Sequence, residues 1–273
     1  MLLKIGDKVK QEIFVAIFQL LKQWSSHINM QFDKDKLYIQ CMDKSHVCLT
    51  TVNIKSTWFN HYECLNNANV CVDSTHFSIL MGYALKHNIL ELKFDAEEEP
   101  DKLYINFLNG EQLVQEQGQK QKKVSKKGET FDHFFELNLM DIDEVEMNIP
   151  SVDYDVDFNI DCKKWVDVLS ELNTIGQDLN VVCKEELIEL NATGDAAKLK
   201  VNIPVDELNE YAIAEDSILE VSYSLGHLCK MCCSTKLSSN VEVSLSNDYP
   251  MMLKYNLGDD SVALFYIAPK LHN

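Results

Sequence analysis

The chain is predicted to be an α+β protein built from two similar domains, each with two helices packed on antiparallel sheets. Three observations predict it. An apolar helical period recurs at an offset of about 150 residues, and each occurrence is followed by runs of alternating polar and apolar residues. Apolar residues make up 46% of the chain, enough for two real cores in 273 residues. Glycine and proline are scarce, at nine and five, so the turns fall to Asn, Asp and charged residues.

In chain order, Ile13, Ile17, Leu20, Leu21 and Trp24 place a helix over 7–24, and the charged turn Asp33-Lys34-Asp35-Lys36 then interrupts two strand-like runs. Phe77, Leu80, Met81, Ala84 and Leu85 mark a second helix over 75–87, followed by strands at 89–94 and 103–108. Residues 111–130 are rich in Gln and Lys and nearly free of apolar side chains, which reads as an insertion loop before a strand at 131–137. Between the halves, 139–151 mixes acids with Leu139, Val145, Met147 and Ile149, and Pro150 discourages a helix. That composition predicts an extended connector whose apolar side covers a pocket. The second half alternates at Tyr154-Asp155-Val156-Asp157-Phe158 and places a helix over 162–176 on Trp165, Val168, Leu169, Leu172 and Ile175. After the turn Lys184-Glu185-Glu186 come a strand at 198–203, a helix over 224–236, and strands at 241–245, 251–257 and 262–268. The expected domains are therefore 1–138 and 152–273, joined by 139–151.

Charge and cysteine content narrow the function. The net charge is −18, yet the four expected helices hold eight lysines (Lys8, Lys10, Lys22, Lys86, Lys163, Lys164, Lys230 and Lys236) against four acids. A shared helical face would be mildly basic on a chain that otherwise repels polyanions. Every one of the 25 basic residues is lysine. Without the planar fork of arginine, base-specific readout is disfavoured, whereas loose contact with phosphates is not. The nine cysteines fall mostly inside expected helices and strands, as reduced thiols packed like small hydrophobes do. No run is long enough to span a bilayer, and the N-terminus lacks a secretion-signal pattern, so no membrane partner is expected.

More specific residues occur in fixed order: Met42-Asp43-Lys44-Ser45-His46-Val47, Leu139-Met140-Asp141-Ile142-Asp143 through Ile149-Pro150, Leu172-Asn173-Thr174-Ile175-Gly176, Asp248-Tyr249-Pro250 and Tyr266-Ile267-Ala268-Pro269-Lys270. Together they resemble the eukaryotic sliding clamps of the proliferating cell nuclear antigen family. The resemblance implies the DNA clamp fold and a homotrimer closing head to tail into a ring around double-stranded DNA, bound without regard to sequence. It implies no enzymatic activity, cofactor or metal, and partners that include DNA polymerase, a clamp loader and other proteins carrying a clamp-interacting peptide motif. Carried over by position, it places a partner-binding pocket at Met42, His46, Val47, Leu49, Met147, Ile149, Pro150, Tyr154, Pro250, Tyr266, Ala268 and Pro269. The eight lysines would face DNA. The subunit joint would use Met81, Phe131, Phe135, Leu169, Leu172, Leu199 and Val201. Localisation would be the nucleus, or a viral replication compartment, since the missing arginine and the insertion point to an unusual lineage such as a large DNA virus or a protist. Several helix positions that are basic in the family are not so here: Val15, Ala16, Ser78, Met81, Ser170 and Cys233.

Rival readings carry less. His227-x-Cys229-x-x-Cys232-Cys233 has ligand-like spacing but lacks a second ligand pair. Cys41 with His46 and Cys71 with His76 lack an orienting partner for a nucleophile. Within the clamp class, the alternatives are a checkpoint-type clamp subunit or a viral processivity factor that forms no ring.

Overall fold

The computed structural model describes residues 1–110, 131–142, 146–232 and 234–270, so the expected insertion at 111–130 lies outside the described residues. The chain divides into two compact units. The first contains Met1–Lys22, Ser26–Ile39 and Asn53–Glu144; the second contains Gln23–Ser25, Gln40–Val52 and Val145–Asn273.

In the first unit, β1 (Leu2–Ile5) leads into α1 (Lys8–Leu21), then β2 (His27–Phe32) and β3 (Lys36–Met42). β4 (Cys48–Lys55), β5 (His61–Glu63), β6 (Ala68–Asp73), α2 (Ser74–Met81), β7 (Ile89–Asp95), β8 (Glu99–Leu108) and β9 (His133–Asn138) follow. One antiparallel sheet runs β5-β1-β7-β8-β9, which leaves β9 at its edge. The helices cover a core in which the Phe18 ring meets Phe14 at 4.9 Å and Phe77 at 4.6 Å, both edge to face.

The second unit takes in Gln23–Ser25 and the turn end of the β3–β4 hairpin, Gln40–Val52. It continues with β10 (Val156–Asp161), α3 (Cys162–Ile175), β11 (Asp178–Cys183), β12 (Leu187–Thr193), β13 (Lys198–Pro204), β14 (Glu210–Ile213) and β15 (Leu219–Ser224). α4 (Leu225–Met231), β16 (Asn240–Leu245), β17 (Met251–Gly258) and β18 (Ser261–Ile267) complete it. A sheet of order β13-β12-β11-β15 has β13 at its edge, and β14-β10-β16-β17-β18 continues to the unit's part of β4. Trp165 packs edge-on to Phe158 at 5.7 Å, and Tyr255 to Phe265 at 5.5 Å.

The helices are shorter than their apolar period predicts. α2 stops at Met81 and a 3-10 turn, Ala84–Lys86, replaces its expected last turn, while α4 ends at Met231. Asp7, Asp73 and Asp161 cap α1, α2 and α3 by accepting hydrogen bonds from the amides of Lys10, His76 and Lys164. Ser224 makes no such bond to α4, which agrees with the brevity of that helix. Trp24 lies beyond α1, buried in the second unit and stacked on the His227 ring at 6.3 Å.

Candidate functional site

All twelve residues expected to form the pocket belong to the second unit, and none of them is buried. Three segments bring them together. The first is the β3–β4 turn. Asp43, only 8% exposed, accepts hydrogen bonds from the amides of Ser45 at 3.1 Å, Val47 at 2.8 Å and Cys48 at 2.7 Å, and from the Ser45 hydroxyl. Burial works to raise this carboxyl, but those four donors outweigh it and hold it below the ordinary value of 3.8. The turn carries His46 through the left-handed region at φ 57°, which Asp43 makes tolerable by closing the loop around it. His46 is exposed, whereas Met42, Val47 and Leu49 are half-buried.

The second segment is the connector. Gln40 on β3 donates through Nε2 to the Met147 carbonyl at 3.0 Å and accepts from the Met147 amide at 2.7 Å. A side-chain amide thereby mimics a strand pairing and holds Met147, 39% exposed, and its neighbours Ile149 and Pro150 on this unit. Val145, expected on the same apolar side, lies outside the described residues. The third segment is the tail: the Ala268 amide donates to the Val47 carbonyl at 3.0 Å, and the Lys270 amide to the Ser222 carbonyl at 2.7 Å. Tyr266, on β18, lies close enough to Tyr154 to influence its ionisation. Burial, then Tyr266, then Asp157 push the Tyr154 hydroxyl up to about 12, so at neutral pH it remains a donor. Pro250 is exposed just ahead of β17. The result is a partly open surface of Met, Val, Leu, Ile, Pro and Tyr side chains with few polar groups, suited to an apolar peptide anchor. The sequence reading missed Gln40 and Asp43. Asp43 has the signal of an Asx turn, but Gln40 has none, because its partner is 107 residues away.

The basic set is thinner than the sequence implies. The observed helices keep Lys8, Lys10, Lys163, Lys164 and Lys230, while Lys22, Lys86 and Lys236 fall beyond their ends. Lys8 is half-buried, donating to Gln11 at 2.9 Å and to the His87 carbonyl, and burial lowers its pKa against the opposing pull of Glu12. Lys10 donates to the Trp58 carbonyl at 2.7 Å and lies 5.3 Å above that ring. Lys164 pairs with Glu207 at 2.8 Å, leaving Lys163 and Lys230 as exposed helix cations. Val15, Ala16, Ser78 and Met81 are buried, so their lack of charge follows from packing; Cys233 lies outside the described residues.

The residues expected at the joint differ in exposure. Met81, Leu169 and Leu172 are each 0% exposed in the single chain. Phe135 is half-buried, its ring 5.5 Å from Tyr83 and 5.7 Å from Phe107 of its own unit. Alternation along β9 turns Phe134 the other way, and it is 69% exposed. Phe131 is 75% exposed, and Leu199 and Val201 are half-buried on edge strand β13.

Burial pushes the thiols of Cys48, Cys183 and Cys232 up to about 12 and that of Cys162 to about 11, where thiolate chemistry is suppressed. Among the described residues no group of His, Cys, Asp and Glu is placed to hold a metal ion, and no helix is long and apolar enough to cross a membrane.

Comparison with known proteins converges on the same architecture. Residues 7–146 match the model of the proliferating cell nuclear antigen N-terminal domain, and residues 148–270 match that of its C-terminal domain. The chain is 26% identical over 264 residues to proliferating cell nuclear antigen of Chaetomium thermophilum, covering 95% of each sequence. Two matched domains in order, with the α+β architecture described, establish that the chain belongs to the proliferating cell nuclear antigen family of sliding clamps.

Proposed function

We propose that three copies of this chain close into a ring around double-stranded DNA and hold a polymerase and other replication proteins there as a processivity factor. Each subunit would comprise clamp domains 1–138 and 152–273 joined by the connector 139–151, acting in the nucleus or a viral replication compartment. No chemistry by the chain itself is needed: a closed ring keeps its cargo on DNA because escape requires opening. Contact with the duplex then has to be weak, which suits a few exposed lysines and no arginine.

Two edge strands support the ring. Among the described residues, β9 is unpaired on one side in the first unit and β13 on one side in the second. Because the two edges belong to different units, joining one to the other is a head-to-tail contact, which generates a ring when the rotation closes. Partner recognition rests above all on one observation. The β3–β4 turn, the connector and the tail are tied by backbone bonds and by Gln40, leaving Met147, Ile149, Tyr154 and Tyr266 partly open above them. A client peptide would set apolar and aromatic anchors among these side chains while its backbone follows the connector.

The test is affinity for a peptide bearing a glutamine and paired aromatics. Replacing Met147 and Ile149 together by Ala is expected to weaken it by about 2 kcal/mol, the scale of lost apolar anchors. Unchanged affinity would move the client site elsewhere. For the ring, stimulation of polymerase on closed circular DNA is expected to vanish once the circle is cut; equal stimulation on open-ended DNA would exclude a topological tether.

A further inference from the structure

Where β10 begins in the second unit, a cavity of about 480 Å³ opens, and Tyr154 lines it as well as belonging to the client surface. Its origin is local. Asp157 stands across from Ala212 on β14, a small neighbour that leaves space a larger side chain would fill. Asp155, at the bend just ahead of β10, lines the same cavity. The rest of the wall sets apolar Ala214, Leu219 and Ile218, the last 66% exposed, beside Ser217 and Asn247.

The two carboxylates are only partly used. Asp157 accepts from the Ser244 hydroxyl at 2.5 Å and Asp155 from the Asn247 amide at 3.2 Å. Among the described residues neither meets a lysine or histidine. A trough with an apolar side at Ala214, Ile218 and Leu219 that ends at two exposed carboxylates suits a long aliphatic stem with a cationic head.

We propose that this cavity takes a lysine or arginine of a client, from the segment flanking the motif held by the neighbouring surface. The stem lies along Ile218, Ala214 and Leu219, and the head sits between Asp155 and Asp157. This rests on the client-groove reading, since Tyr154 is the shared wall that brings the flanking segment past the cavity.

Three fluorescent peptides test it on the intact chain, all sharing the glutamine and paired-aromatic core, with alanine, lysine or glutamate flanks on both sides. Lysine flanks are expected to bind at least 5-fold tighter than alanine flanks in 50 mM NaCl, with most of that gain lost in 500 mM as surface charges are screened. In the Asp155→Asn, Asp157→Asn double variant the gain should fall below 2-fold while the alanine-flanked peptide binds as before. Ala214→Leu, which fills the trough without changing charge, should reduce the gain as well and covers the case of a double variant that does not fold. A gain that survives in both variants would assign the preference to the general negative field of the chain and overturn the proposal. Glutamate flanks binding as well as lysine would overturn it too. Failure of the alanine-flanked peptide to bind the unaltered chain would instead remove the groove reading and this one with it, so the two failures are distinguishable.

Discussion

Asp43 shows how one side chain can set a surface it does not itself present. Its carboxylate gathers three amides and a hydroxyl, and this fixes the path of His46 and Val47. Asp43→Ala leaves those amides without their acceptor and is expected to cost about 2 kcal/mol, the scale of hydrogen bonds to a charged group. Urea unfolding would measure the loss, and client-peptide affinity should fall in parallel; a variant with unchanged stability and affinity would show that the loop holds itself. The pH dependence has a definite sign. Because the folded carboxyl lies below its ordinary value of 3.8, its stabilisation is full above that value and is lost as pH falls through the lower folded value. The turn should therefore be intact from neutral pH down to about 4 and loosen only in stronger acid, which amide exchange at Val47 and Cys48 would follow. The motif containing Asp43 was legible in the sequence, and so were the apolar residues around it. Gln40 was not, because a polar residue on a strand gives no sign of whether it faces water or a backbone far along the chain.

At the scale of elements, α3 explains why Leu172-Asn173-Thr174-Ile175-Gly176 ends in glycine. A Cβ on Gly176 would lie 2.7 Å from the Thr193 carbonyl oxygen, and one on Gly194 would lie 1.9 Å from that of Ile175. The end of the helix and the end of β12 approach so closely that only hydrogen fits between them. Gly194→Ala must push that backbone apart and is expected to destabilise the second unit by about 2 kcal/mol, within the range for overpacking. A denaturation midpoint equal to that of the unaltered chain would mean the two ends separate freely. The apolar period located all four helices, but it overran α2 and α4. Buried residues continue past both ends, at Ala84 and at Cys232 and Leu237, so the pattern persists where the hydrogen-bond ladder has stopped. Short strands such as β5 and β14 left no periodic trace, being only three and four residues long.

The whole molecule depends on what its edges meet. Phe134, exposed on edge strand β9, is the apolar group that the proposed ring would cover. Phe134→Glu is expected to shift solution mass from a trimer of about 94 kDa toward the 31.3 kDa chain at micromolar concentration, with the fold retained because that side chain packs little in its own unit. An unchanged trimer would place the joint on other residues. Phe135→Ala should act differently, loosening the cluster with Tyr83 and Phe107 and lowering thermal stability as well.

By itself the sequence determined the duplicated α+β plan, the location of the helices and the residues of the family motifs. All of these are written in local period or in short strings, which survive without knowledge of neighbours. Only the tertiary structure decided which apolar side chains are core and which are surface. Met81, Leu169 and Leu172 are buried while the equally apolar Phe134 is exposed, and hydrophobicity does not say which side of a helix or strand a neighbour will cover. It also decided which lysines remain available: Lys8, Lys10 and Lys164 are engaged by groups distant in the chain, and formal charge counts every lysine alike.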